Sequence, residues 1–226
     1  MLDTSKVLEF FDGSKIEEEI HIIGCGAIGS HVAESLARIG CEKIHLWDDD
    51  EVSPHNITNQ MFYESDIGRK KVTAVYEMMV AINPSLKDKI KIHAERLVEP
   101  YIVNGYIFLC ADSIDVRRRV VEANSYNIYA SGIFDFRMRL TDAQHYFANT
   151  KKPGDIKELL KTMDFTEEEA KAATPVSACG VELSVIYNVK AIVSFGICNF
   201  ITFIQTPEKV KRKIFVNMAM FAVDSF

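Results

Sequence analysis

Two periods of hydrophobic and polar positions take turns along the first 130 residues. "EIHIIG" (19–24) is a short apolar run that ends in glycine, the mark of a buried strand. "AIGSHVAESLARIG" (27–40) then repeats Ile28, Val32, Leu36 and Ile39 at helical spacing, and Gly40 is placed to stop the helix. "KIHLWD" (43–48) predicts a second strand, and Asp66 to Asn83 a second helix that Pro84 ends. "IKIHAE" (90–95) alternates as a strand and "YIFLCAD" (106–112) is continuously apolar. Ser113 is placed to cap a helix running to about Asn124, and "NIYASG" (127–132) predicts a fifth strand. Strands separated by helices imply an α/β fold with a doubly wound, mainly parallel, Rossmann-like sheet.

The pattern changes after residue 133. "FDFRMRLTDAQHYFAN" (134–149) alternates, with Arg137 and Arg139 on one face and Phe136, Met138 and Leu140 on the other. This predicts a β-rich continuation. Residues 151–180 are charged and punctuated by Pro153, Gly154 and Pro175, with a capping-box pattern at Thr166 and Glu169. A long, mobile excursion from the core is expected near 150–178. Val185 to Ile204 is apolar enough to raise a membrane span, but Asn188, Lys190 and Asn199 interrupt it. A buried helix or strand-plus-turn, suited to a subunit interface, is expected instead.

Composition narrows the function classes. The 226 residues carry 26 basic against 32 acidic side chains, a formal charge of −6. That removes any general electrostatic case for nucleic acid or an anionic membrane. The five cysteines (Cys25, Cys41, Cys110, Cys179, Cys198) form no C-x-x-C pair, which argues against a disulfide framework and a cysteine zinc site. The first 19 residues lack the basic and apolar regions of a signal peptide, so a cytoplasmic location is expected.

"GCGAIG" supplies Gly24, Gly26 and Gly29 in the G-x-G-x-x-G pattern, with Ala27 and Ile28 opening the helix behind them. Between an apolar strand and an amphipathic helix, such glycines permit a tight turn and close backbone approach, and the helix N-terminus offers N–H groups to phosphate. Asp48 follows at the end of the second strand, where an acid hydrogen-bonds ribose hydroxyls. The acidic run continues through Asp50 and Glu51 beyond what ribose needs. A second acid suits a polyphosphate carrying magnesium. Asp49 reads as a solvated turn.

Several motifs in register resemble the ThiF/MoeB/HesA family, the bacterial relatives of ubiquitin-activating enzymes. They are Gly24–Gly29, Asp48-x-Asp50-x-Val52, Asn56, Gln60, "DIGRKKV" (66–72) and "CAD" (110–112), with an echo at "SACGVELSV" (177–185). The resemblance covers roughly 19–135. It implies a single nucleotide-binding domain over 1–226, with a core at 19–135 and a C-terminal part at 136–226. It further implies ATP and Mg²⁺ as cofactors, adenylation of the C-terminal glycine carboxylate of a small ubiquitin-like protein, and a homodimer. By the resemblance, the Gly24–Gly29 backbone lies on the phosphates and Asp48 holds the ribose. Asn56 and Lys71 contact the phosphates, and Asp112 assists magnesium. Asp50, Asn59 and Gln60 complete the nucleotide site. Lys71, Asp112 and Cys179 carry the catalytic expectation, Cys179 as a thioester-forming thiol or a small residue at a turn.

The chain departs from the family at two places. The pattern S-N-x-N-R-Q is here His55, Asn56, Ile57, Thr58, Asn59, Gln60, so an expected phosphate-steadying arginine is Asn59. Residues 1–19 also lack the arginines that some relatives lend to a partner subunit. Arg69, Lys70, Arg137 and Arg139 are the candidate substitutes, the last two foremost because they share a strand face. Arg117 matches a family arginine, yet Arg117–Arg119 reads as a solvated helix face. His55 adjoins the phosphate region, while His21, His31, His45, His93 and His145 show no metal-ligand spacing. Two rival readings stay open: a non-catalytic relative that binds nucleotide or a partner, and an NAD-dependent oxidoreductase.

Overall fold

The computed structural model describes residues 5–6, 8–174, 176 and 183–226. Its strands form one sheet in the order β3-β2-β1-β4-β5-β6-β7-β8. The parallel part comprises β1 (Ile20–Ile23), β2 (Ile44–Trp47), β3 (Ile90–His93), β4 (Gly105–Leu109) and β5 (Ala130–Met138). Then β6 (Asp142–Ala148), β7 (Lys213–Asn217) and β8 (Ala222–Ser225) extend it antiparallel. The expected mainly parallel, doubly wound sheet is present. Its central strands β1 and β4 are buried along their whole length, as continuous apolar runs require when both faces are covered.

The first helix, α1 (Ala27–Arg38), buries Val32, Ala33, Leu36 and Ala37 completely. Each fully buried Val or Leu contributes about 1.5–3 kcal/mol. α2 (Lys71–Ile82) begins five residues later than the sequence pattern predicts. Gly68, at φ +83°, turns the chain between a short 3₁₀ turn (Glu64–Asp66) and the helix. Ser113 caps α3 (Ile114–Ala123) by accepting from the Val116 N–H.

Three other expectations change. The fifth strand does not start at Asn127: residues 127–129 form a turn, in which the Asn127 carboxamide accepts from the Tyr129 N–H and donates to the Val103 carbonyl. β5 instead runs unbroken from Ala130 into the alternating segment, because Gly132 stays extended in the ladder with Tyr106. Part of the expected excursion folds back as α4 (Pro153–Lys161) and α5 (Glu167–Ala172), with Ile156, Leu159 and Met163 buried against the sheet. The Thr166–Glu169 capping box opens α5 as the pattern predicts.

The apolar segment near the end is one helix, α6 (Ile186–Gln205), long and apolar enough to cross a membrane by length and composition. Here its inner face packs on β5, β6 and α1. The polar residues that interrupt it have structural partners. Asn188 donates to the Arg139 and Asp142 carbonyls at 2.8 and 2.9 Å. Asn199 exchanges hydrogen bonds with the Lys211 backbone, both at 2.8 Å. Both amides are buried, and each satisfies backbone groups that a Leu would leave unpaired.

Arg117 corrects the reading of its triplet as a solvated face: it is buried, donates to the Leu109 carbonyl at 3.1 Å and pairs with Asp135. Asp135 is fully buried and also binds Arg137, whose guanidinium reaches the Thr162 carbonyl at 2.7 Å. A carboxylate without water is stable here only because two guanidinium groups face it. Asp135→Ala is therefore expected to lower stability by about 3–5 kcal/mol in urea unfolding, by leaving two cations uncompensated. Arg139→Ala, at an exposed turn, should stay within about 0.5 kcal/mol. A loss under about 1 kcal/mol for Asp135→Ala would show that the pair is not a structural anchor.

Candidate functional site

The carboxyl ends of β1, β2 and β4 meet at the glycine loop, the usual ligand crevice of an open parallel sheet. Gly24 has φ +92°, and a Cβ there would lie 2.7 Å from the Ala111 nitrogen on the loop after β4. A Cβ on Gly29 would lie 1.8 Å from the Gly24 carbonyl oxygen. These two glycines are demanded by packing. Gly26 is different: its nearest neighbour would be Gln60 Oε1 at 4.0 Å, so its backbone faces open space. Gly26 is also the N-cap of α1, where no side chain caps the helix and no acid stands in the first turn. The N-terminal N–H groups near Ala27 and Ile28 thus favour an anion.

Asp48 joins the tip of β2 to this loop. Its Oδ2 accepts from the Cys25 N–H at 2.7 Å and its Oδ1 from the Asp50 N–H at 2.8 Å. Burial holds its carboxyl above the ordinary value of 3.8, against the opposing pull of these hydrogen bonds and of Lys71. Lys71 is buried, and its ammonium donates to Asp50 at 2.8 Å. A bridge between Glu51 and Lys70, together with the Lys71 N–H bond to the Asp50 carbonyl, brings the start of α2 against the acidic run.

The polar loop after the acids is a 3₁₀ turn, Pro54–Thr58. Asn56 is buried within it, and its amide oxygen accepts from the Ser53 N–H at 2.9 Å, so that oxygen is committed to the turn. Asn59 is buried at the C-cap and brings no charge. Gln60 Oε1 is buried beside Gly26 without a hydrogen-bond partner among the described residues. An orphaned acceptor next to an open glycine backbone fits a bound polar ligand. Asp112 is exposed after β4, with its Oδ1 accepting from the Ser113 N–H at 2.8 Å. His55 is exposed.

The structure also places the proposed substitute cations. Arg69 turns to Asp66 and Glu77, at 2.9 and 2.5 Å. Arg137 is held by Asp135 and Thr162, and Arg139 lies beyond the end of β5 and is exposed. Lys70 stays at the rim, donating to the Asp49 carbonyl at 2.9 Å. The residue that sequence reading missed is Arg96, on the loop after β3. Its Nε lies 2.9 Å from both oxygens of Asp49, which is therefore ion-paired and no bare solvated turn. Arg96 also lies within electrostatic reach of Asp50 and Asp112. Only the carboxyl-end position of its loop hinted at this, and no local motif marks it.

Cys179 lies outside the described residues. Burial pushes the Cys25 and Cys110 thiols well above their ordinary range, which suits structural roles.

The ThiF family model matches residues 14–141. Among curated proteins, ubiquitin-like modifier-activating enzyme 5 of Caenorhabditis elegans is 29% identical over 119 residues, 46% of this chain and 28% of that protein. The ATP-dependent ubiquitin transferase-like protein Cap2 of Escherichia coli is 42% identical over 59 residues, 24% of this chain and 10% of that protein. The chain thus spans between a tenth and about a quarter of the length of these relatives. Among solved structures, E. coli MccB with ATP aligns at TM-score 0.68 and 19% identity, covering 93% of this chain and 63% of MccB. PaaA aligns at TM-score 0.70 and 14% identity, covering 93% of this chain and 64% of PaaA. Both share the fold, and the family match spans more than half of the chain, from the strand that feeds the glycine loop to the turn after β5: this protein belongs to the ThiF family.

Proposed function

We propose that the chain binds ATP with Mg²⁺ at the glycine loop and adenylates the C-terminal carboxylate of a small protein or peptide. A ubiquitin-like protein ending in glycine is the first candidate. The observation that carries this reading is the convergence of the open Gly26 backbone, the orphaned Gln60 Oε1 and the Lys71–Asp50 pair on one end of the sheet. Family membership and the ATP bound to the similarly folded MccB support it.

The donor set fits magnesium. Oxygens of Asp48, Asp49 and Asp50 lie within 4.8 Å of one another, and hard oxygen ligands are what Mg²⁺ prefers. Asp50 is the residue of this cluster that would hold it, with Asp112 on the loop after β4 as the second acid the family resemblance implies, and the ion would neutralise phosphate charge. In the reaction, an oxygen of the acceptor carboxylate attacks the α-phosphorus. The bond to the β-phosphate oxygen breaks, and an acyl-adenylate and pyrophosphate form. Catalysis of such a step is positioning plus charge neutralisation. Lys71 supplies a fixed cation, and Arg96 supplies the second one that Asn59 does not. Asp49 holds Arg96 at the rim until phosphate competes for its guanidinium. The chain works in the cytoplasm as a homodimer on this reading, with α6 continuing into the interface.

A second reading, a relative that binds nucleotide without turning it over, rests on Asn59 standing where the family has arginine. ATP–pyrophosphate exchange separates the two. Incubated with proteins and peptides that end in free glycine carboxylates, the chain should exchange label, and amidated versions of the same acceptors should not support exchange. Exchange that ignores amidation would contradict carboxylate activation.

Two variants locate the cations. Lys71→Ala should reduce exchange by at least ~10²-fold, the scale on which removal of one charge-stabilising donor acts. Arg96→Ala should also lower the rate by ~10²-fold and raise the KM for ATP, and adding Asn59→Arg should restore much of the loss. Asn59→Arg alone should gain less than about tenfold if Arg96 already compensates. A large gain in the single variant would mean that nothing compensates.

A further inference from the structure

A second polar cluster lies away from the glycine loop, toward the amino-terminal end of β1. The parallel register sets His21 directly beside His45, and Glu19 precedes His21 by two positions, so all three project from the same face of the sheet. That face is opposite to the one α1 covers, which holds Ile20, Ile22, Ile44 and Leu46. One nitrogen from each imidazole and one Glu19 oxygen lie within 4.8 Å of one another. His45 Nε2 stands 3.2 Å from Glu19 Oε1, and His21 Nε2 stands 3.7 Å from Glu19 Oε2. The His21 side chain is only 5% exposed, yet among the described residues its Nε2 has no hydrogen-bond partner.

We propose that Glu19, His21 and His45 form a binding site for a borderline divalent metal ion of the zinc class. Two imidazoles and a carboxylate are a common ligand set for such an ion. Zinc–ligand bonds of ~2.0–2.2 Å in a tetrahedron separate neighbouring ligand atoms by about 3.3 Å. His45 Nε2 and His21 Nε2 stand 3.2 and 3.7 Å from the two oxygens of Glu19, spacings close to that value.

The surroundings complete the site. His93 Nε2 lies 3.1 Å from His45 Nδ1, the outer contact that fixes the ring of a metal-bound histidine. Lys91, 3.5 Å from Glu19, is largely exposed and free to swing into solvent, which opens a fourth position to water. One contact must change. The Trp47 indole N–H donates to His21 Nδ1 at 3.2 Å, which places the neutral ring's proton on Nε2. Binding through Nε2 moves that proton to Nδ1, and the indole must release it. Trp47 is the sole tryptophan of the chain and stacks on His93 with ring centroids 3.6 Å apart. Its fluorescence therefore reports on occupancy.

The test is a Zn²⁺ titration of the full chain, read by Trp47 fluorescence and by equilibrium dialysis, with circular dichroism confirming that each variant folds. Wild type should bind one equivalent with a saturable fluorescence change. His45→Ala and the isosteric Glu19→Gln should each weaken that binding by at least ~10-fold. Cys198→Ser, which removes an exposed thiol, should leave it unchanged. Absence of saturable binding to wild type would overturn the site. So would unaltered affinity in both ligand variants, or displacement of the bound Zn²⁺ by an equal concentration of Mg²⁺ in equilibrium dialysis.

Discussion

The pressing of α1 onto the carboxyl end of β1 governs the arrangement of the site. Where Gly29 meets the Gly24 carbonyl, a single methyl group would intrude to 1.8 Å. That approach leaves no tolerance for any side chain, and it aims the N-terminus of α1 across the end of the sheet. The loop after β4 is drawn in by the same packing, because Gly24 itself lies against Ala111. Asp48 then ties the tip of β2 to the Cys25 N–H. Three strand ends converge on one small volume, and the open backbone of Gly26 lies within it.

The rest of the chain supports this end from behind. Arg117 reaches from α3 to the last carbonyl of β4 and to Asp135 on β5, which holds the strand end that carries Asp112. Arg137 carries the same carboxylate's charge outward to Thr162, so the segment after α4 is tied to the sheet. On the other face, Asn188 and Asn199 let an otherwise apolar helix cover the β5–β6 hairpin without leaving backbone groups unpaired. Polar side chains thus set which surfaces of β5, β6 and α6 meet, while apolar area supplies most of the driving force.

Much of the parallel half of the sheet was legible in the sequence because its signals are local. A glycine loop between an apolar run and an amphipathic helix and a serine before α3 each act within a few residues, as does the capping box before α5 in the C-terminal part. The features that escaped depend on distant partners. Arg117 looks like one of three solvated arginines until Asp135 closes on it. Arg96 has no motif and gains significance only because β3 ends beside β2, opposite Asp49. His21, His45 and His93 share no ligand spacing along the chain, and the register of three parallel strands brings them together. Gly132 looked like the end of a strand and is instead an interior residue of a longer one.

On the proposed function, this end of the sheet holds an adenine nucleotide triphosphate with magnesium rather than a dinucleotide. Calorimetric titration of the full chain with ATP and with NAD, each with and without Mg²⁺, addresses it without knowledge of the acceptor. ATP should bind saturably and more tightly with magnesium, and NAD should give no heat of binding. Saturable NAD binding that ignores magnesium, or silence from both nucleotides, would contradict the proposed function.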